Sequence, residues 1–504
     1  MKLFKKSWLL SSLAVFALIV CGFSGCKTAT GNASGATGKV LGAKEYPVSS
    51  ASEIAALMST VKPGDTLIMK NGTWKDQNIK LTSSGKVDVP VTLRAETPGQ
   101  VVLSGNSSLQ VDGSYVVVSG LLFTDGFLKK GASAVIRLNG DHNRLTDSAV
   151  VDYNPPDKKA RYFWVSLRGN SHRVDHCRLS GHNHSGVTLV VDLDGTDDTG
   201  RHLIDHNYFG NRPEGDGNGF ETIRVGTSKY SMQNAHVTVE YNLFEKCDGE
   251  IEMISNKSCE NIYRFNTFRE SAACLTLRHG NRCWVEGNFF LGGKKRESGG
   301  VRVIGQDHTV INNYFEGTMG RAGGVISLWA GIPNSELNKY FQVTNALIAF
   351  NTIVNNNGPC IMLEAGFGEK GRTLLPDGVV IANNILYNTV TKDPLIKGRK
   401  NDGLQWTGNI GFGSAPGYDV AEGLTIADPD MVRGKDGLLH PSPKSVVRRS
   451  AAGNYPAVKT DIDGQARGDK KDVGCDQKSK TPVTNIPLTS SDVGVSWPIV
   501  KAAQ

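Results

Sequence analysis

The sequence predicts an all-β protein: a single-domain, right-handed parallel β-helix with a short capping helix at its N-terminus. Three observations carry that prediction. A motif of short apolar strand, Asn and apolar pair returns seven times between residues 206 and 386. The chain has 504 residues, too many for a typical single core, yet no linker divides it cleanly. Strand-like runs closed by Gly or polar turns precede the repeat. Length without a boundary is what stacked coils produce, because such a fold grows by adding repeats.

The motif reads His206-Asn207-Tyr208-Phe209, Tyr241-Asn242-Leu243-Phe244, Phe265-Asn266-Thr267-Phe268, Gly287-Asn288-Phe289-Phe290, Asn312-Asn313-Tyr314-Phe315, Phe350-Asn351-Thr352-Ile353 and Asn383-Asn384-Ile385-Leu386. Successive asparagines are 35, 24, 22, 25, 38 and 33 residues apart. Three short strands and three turns fill the shorter steps, and the longer steps are coils with an inserted loop. Coils stack at about 4.8 Å, so an Asn placed at a left-handed corner can hydrogen-bond its own copy above and below.

Upstream, Val91-Thr92-Leu93-Arg94, Val101-Val102-Leu103-Ser104-Gly105 and Tyr115 to Gly120 read as the first coils. Ser52 to Val61 reads as an amphipathic helix ending at Pro63-Gly64-Asp65, suited to covering the open apolar end of the stack. Beyond Asp430 the pattern fades into a polar tail expected to pack along the outside or stay loose. The expected organisation is a targeting segment over residues 1–26, a linker over 27–45, the β-helix over 46–430 and the tail over 431–504.

The targeting segment has Lys2, Lys5 and Lys6, an apolar run from Trp8 to Val20, then Gly22-Phe23-Ser24-Gly25-Cys26. Small residues before a cysteine resemble a bacterial lipoprotein signal that would lipidate Cys26; ordinary secretory cleavage nearby is the alternative. Either way the protein is exported, to the outer membrane, the periplasm or beyond. Without the segment the formal charge falls from +7 to +4, too small to imply nucleic acid. Seven cysteines lie beyond Cys26 with no CxxC spacing, which suggests neither a disulfide framework nor a zinc site. A closed β-helix needs no second copy for stability, so a monomer is expected.

Counting forward from each ladder asparagine places the chemistry. Asn218 lies 11 residues past Asn207, Glu250 and Glu252 lie 8 and 10 past Asn242, Lys257 lies 15 past it, Arg278 lies 12 past Asn266, and Arg302 lies 14 past Asn288. Offsets this close predict one polar stripe across four coils, about 15 Å long, room for three or four sugars. Read as a strand, Asp248 to Glu252 alternates, so the two glutamates would point the same way. With the Asn218 carbonyl they form an oxygen-only set of the kind hard Ca²⁺ prefers.

Abstracting the proton α to a uronate carboxylate needs charge stabilisation, a base and an acid for the departing oxygen. Calcium on the substrate carboxylate would supply the first, Lys257 the second. Arg278 is placed to stabilise or protonate the leaving oxygen, with a relay through water or His279 as the alternative. The partner this implies is an acidic polysaccharide.

Three blocks then become familiar: Asn218 to Gly226, Glu250 to Ser258 and Leu275 to Gly280. With Asn71-Gly72-Thr73-Trp74 they resemble polysaccharide lyase family six, the alginate lyase and chondroitinase B family, from about Tyr46 to Gly413. The resemblance implies Lys257 as Brønsted base, Arg278 as acid, Asn218, Glu250 and Glu252 as calcium ligands, and substrate contacts from His279 and Arg302. It favours alginate as substrate, with dermatan sulfate second. Some family members carry a second β-helix domain for which this chain is too short, leaving endo or exo cleavage open. A β-helix glycoside hydrolase and a non-catalytic polysaccharide binder are the competing classes.

Overall fold

The computed structural model describes residues 42–499 apart from 198, 420 and 421. The predicted targeting segment with Cys26 lies outside the described residues. From Glu45 onward the chain winds into three long parallel sheets, two of fourteen strands and one of twelve. The first sheet runs from Glu45–Val48 to Leu404–Thr407. The second, twelve-stranded, runs from Asn78–Leu81 to Ile396–Lys397, and the third from Gly72–Lys75 to Leu424–Ile426. Each strand pairs in parallel with its counterparts one coil before and after, as Leu203–Asp205 does with Arg173–Asp175 and Thr238–Glu240. This is the right-handed parallel β-helix that the repeat predicts.

The asparagine ladder exists, but not at the expected backbone position. The residues with positive φ are those just before it: His206, Tyr241, Phe265, Gly287, Asn312, Phe350 and Asn383. The ladder asparagines follow the corner, which aims their side chains along the stack. Oδ1 of Asn288 accepts from both the backbone N–H and Nδ2 of Asn266, each at 3.0 Å, and Asn288 repeats the pattern on Asn313. The ladder continues to Asn409, one coil further than the sequence reading took it. Every rung is buried, so these bonds replace lost water contacts as well as fixing register.

The apolar pair after each Asn divides its labour. The second member points inward: Phe209, Phe244, Phe268, Phe290 and Phe315 stack at centroid spacings of 4.9, 4.9, 4.5 and 4.6 Å. Full burial of such a side chain contributes about 1.5–3 kcal/mol. The first member points out of the third sheet and is covered by the tail. Leu488 and Val493 pack on Tyr208 and Leu243, and Leu438, Ile462 and Cys475 pack on Phe289, Tyr314 and Val354. The tail thus runs back along the outside of the stack, as far as Trp497, whose Nε1 donates to Asp147 O at 3.1 Å.

The capping helix is shorter than its pattern suggests, Ala51–Leu57. Ser50 Oγ accepts from Glu53 N at 3.2 Å, and Glu53 Oε2 accepts from Ser49 N at 2.8 Å. Its buried Ile54 joins the main core beside Asn78–Leu81, the strand that would otherwise leave the second sheet with an open edge. All seven cysteines of the described residues are buried free thiols.

Candidate active site

The second sheet carries the polar stripe. Its strands Ile223–Gly226, Glu252–Lys257, Cys274–His279 and Val301–Val303 are consecutive neighbours. Arg224, Ser255, Thr276 and Arg302 align in one outward row, while Lys257 pairs with His279. Lys257, Arg278, His279, Arg302, Glu250 and Glu252 therefore do come together.

The glutamates do not alternate along a strand as expected. Residues 249–251 form a bend, and the strand starts only at Glu252. A register irregularity then puts Met253 and Ile254 both into the core, and the bend, not the period-2 rule, brings Glu250 beside Glu252.

Glu252 is held from three sides. Arg302 Nη1 lies 3.2 Å and Arg278 Nε 3.6 Å from its Oε1, and Ser255 Oγ donates to its Oε2 at 2.5 Å. Arg302 is buried and stacks over Trp329 at 4.5 Å; Arg278 stacks over Tyr340 at 4.3 Å. Those rings stack on each other at 5.5 Å, and Arg372 lies across both. The loop bearing Tyr340 also accepts from Arg278 Nη1 through Lys339 O at 2.7 Å. Burial lowers the Arg278 pKa from its ordinary value, with Arg302 and Arg372 adding to the effect and Tyr340 and Glu252 opposing it.

His279 is neutral. Burial first, then the charges of Arg278 and Lys257, pull its pKa down to about 3. Nδ1 accepts from Arg278 Nη1 at 3.4 Å, so the proton sits on Nε2, which donates to Ser228 Oγ at 3.1 Å.

Glu250 has the opposite problem. Burial first, then Glu221, then Glu252 push its pKa up to about 8, against the Gly219 N–H that donates to Oε2 at 3.2 Å. Its Oε1 is buried with no hydrogen-bond partner, and so is Oε2 of Glu221. Glu221 is a residue the sequence reading missed. It lies 3.9 Å from Lys257 through Oε1; the signal for it was its offset of 14 from Asn207, equal to that of Arg302 from Asn288, and the pairing of Ile223 with Ile254 places it level with Glu252. Asn218 is exposed, and its loop reaches the carboxylates through Gly219.

Carboxylates that repel each other, with buried oxygens lacking donors, have the chemistry of a hard-cation site. Glu250 and Glu252, with Glu221 beside them, are the residues that could hold one. Their oxygens are less tightly gathered than those of Asp461, Asp463 and Asp476 in the tail, the one such trio among the described residues to lie mutually within 4.8 Å.

The class that the fold and site define is a long parallel β-helix whose outer stripe sets a lysine beside clustered carboxylates and paired arginines. The sequence matches the chondroitinase B family over residues 48–449, and the chain belongs to it, within polysaccharide lyase family six. Among solved structures it is similar to the PL6 family alginate lyase AlyGC, at 35% identity and a TM-score of 0.79 over 91% of this chain and 59% of that one. The chain thus spans 59% of that relative's length. It is also similar to a mannuronic acid specific family 6 lyase from human gut microbiota, at 32% identity and a TM-score of 0.69 over 76% of this chain and 91% of that one. The lyase Pedsa3628 from Pseudopedobacter saltans matches at 28% identity and a TM-score of 0.68 over 90% of this chain and 99% of that one. The chain matches none of the curated proteins.

Proposed function

We propose that this lyase cleaves alginate by β-elimination, with Lys257 as base and calcium as its metal. The observation that carries the reading is the placement of Lys257 between His279, paired with it on the next strand, and Glu221, one coil back. Lys257 Nζ takes the proton on C5 of the uronate, the C4=C5 double bond forms, and the C4–O bond to the preceding sugar breaks. Arg278 stands beside Glu252, neutralises the departing oxygen and gives it a proton, directly or relayed through water, so that it leaves as a new reducing end. Neutral His279, fixed by Ser228 and bonded to Arg278, holds that guanidinium in place and is suited to contact the substrate. Arg302 anchors Glu252 and borders the same groove. Glu250, Glu252 and the Asn218 carbonyl would hold calcium, which would supply charge neutralisation for the substrate carboxylate.

The relatives named above favour alginate, two of them described as alginate or mannuronic acid lyases. Dermatan sulfate is the second reading, favoured by the family's description as chondroitinase B. The protein is exported as a monomer, anchored through lipidated Cys26, and Cys26→Ala would move it from the membrane to the soluble fraction.

The test is ultraviolet absorbance of unsaturated uronate ends formed from mannuronate-rich alginate, guluronate-rich alginate and dermatan sulfate, with calcium or chelator. A rise on alginate, lost with chelator and in Lys257→Ala, is expected. A rise on dermatan sulfate alone replaces the substrate. Reducing ends without unsaturated ends would indicate hydrolysis, and neither product would indicate a binder.

A further inference from the structure

We infer that Glu221 is a third carboxylate of the cation site and the one that links that site to Lys257; this rests on the proposal that the site takes calcium. Glu221 is 1% exposed. One of its oxygens, Oε1, faces Lys257 Nζ at 3.9 Å, a long ion pair. The other, Oε2, is buried with no hydrogen-bond partner among the described residues. A buried carboxylate oxygen is costly unless a donor or cation meets it.

The backbone holds it there. Gly219 N donates to Glu250 Oε2 at 3.2 Å, and Thr222 N donates to Met253 O at 3.0 Å, so Glu221 is pinned against the bend that carries Glu250 from both sides. Behind it the buried Arg212 donates to Phe220 O at 2.6 Å, and to Gly186 O at 2.7 Å. Arg212 spends its donors on carbonyls and the Thr188 hydroxyl, so it fixes the loop and meets Glu221 through its charge without a hydrogen bond.

The three carboxylates are unequally satisfied. Glu252 has Arg302, Arg278 and Ser255. The spare oxygens belong to Glu221 and Glu250. A single carboxylate therefore offers one oxygen to the cation and the other to the base, which fixes the distance between the group that neutralises the substrate and the group that deprotonates it.

The test is calcium affinity by isothermal titration calorimetry on the full folded chain stripped of metal, with the calcium-induced rise in melting temperature as a second reading. Glu221→Gln should weaken binding at least tenfold and shrink the thermal shift. Glu221→Asp, which keeps the charge, should weaken it less and guards against a glutamine variant that folds poorly. Lys257→Ala should bind as tightly as wild type or more tightly. Affinity within twofold of wild type in a folded Glu221→Gln protein reduces Glu221 to a counter-ion of Lys257 and overturns the inference. Equal weakening by Lys257→Ala also overturns it, because the loss is then general. A wild-type protein that binds no calcium overturns the cation reading itself.

Discussion

Lys257 Nζ and Glu221 Oε1 stand 3.9 Å apart across two coils of the second sheet. The lysine and its counter-charge are thus set by stacking register, not by a local loop. Shifting one coil by one residue would turn either side chain to the opposite face.

Lys257→Ala should lower kcat by about 10²–10⁴-fold, the range a positioned general base supplies. It should also leave Glu221 buried without its cation, so the metal-free melting temperature should fall slightly, and calcium should restore it. Paired kinetics and thermal melts check both halves; an active Lys257→Ala enzyme would remove the lysine from the mechanism.

Stability of the metal-free protein should decline as pH rises from about 5 to 8. Glu250 has its folded-state pKa raised to about 8, chiefly by burial and then by Glu221 and Glu252. Between its ordinary value of 4.5 and 8 the folded state keeps a proton that the unfolded state has lost, so raising the pH favours unfolding. Melting curves in chelator should show that slope, and Glu250→Gln should flatten it. Excess calcium should flatten it too.

Arg302→Ala should be strongly destabilising as well as less active. The guanidinium is buried, pairs with Glu252 at 3.2 Å and stacks on Trp329. Removing one partner from a buried pair costs about 3–5 kcal/mol. Arg278 at 3.6 Å would offset part of that, which puts urea denaturation at the lower end of the range. A loss of activity with unchanged stability would instead place Arg302 in substrate binding alone.

Asn288→Ala should cost about 1–3 kcal/mol, because it orphans the backbone N–H of Asn266 in a dry interior, while Asn266 Nδ2 keeps Val239 O and Arg264 O as acceptors. Urea denaturation should show it. An equally buried position outside the ladder, such as Val285→Ala, should lose only its cavity term.

Much of this was legible in the chain. Seven asparagines at coil spacing, each followed by an apolar pair, specify stacked parallel strands, because only that arrangement satisfies the amide ladder and a continuous aromatic column together. The blocks holding Lys257, Arg278 and the two glutamates were legible for the same reason: fixed offsets from a ladder put them on one sheet. Backbone detail was not. The positive-φ corner lies one residue before each ladder Asn, and the bend at residues 249–251 breaks the alternation assumed for Glu250 and Glu252.

By itself the sequence determined the coil, its repeat and which face carries the chemistry, since periodic hydrogen bonding and burial are written as residue spacing. Only the tertiary structure decided that Tyr340 and Trp329 interleave with three arginines and that the tail covers the outward aromatics. Those contacts join segments whose separation follows no period, and their energies depend on burial and on charges meeting in space, which no spacing along the chain encodes.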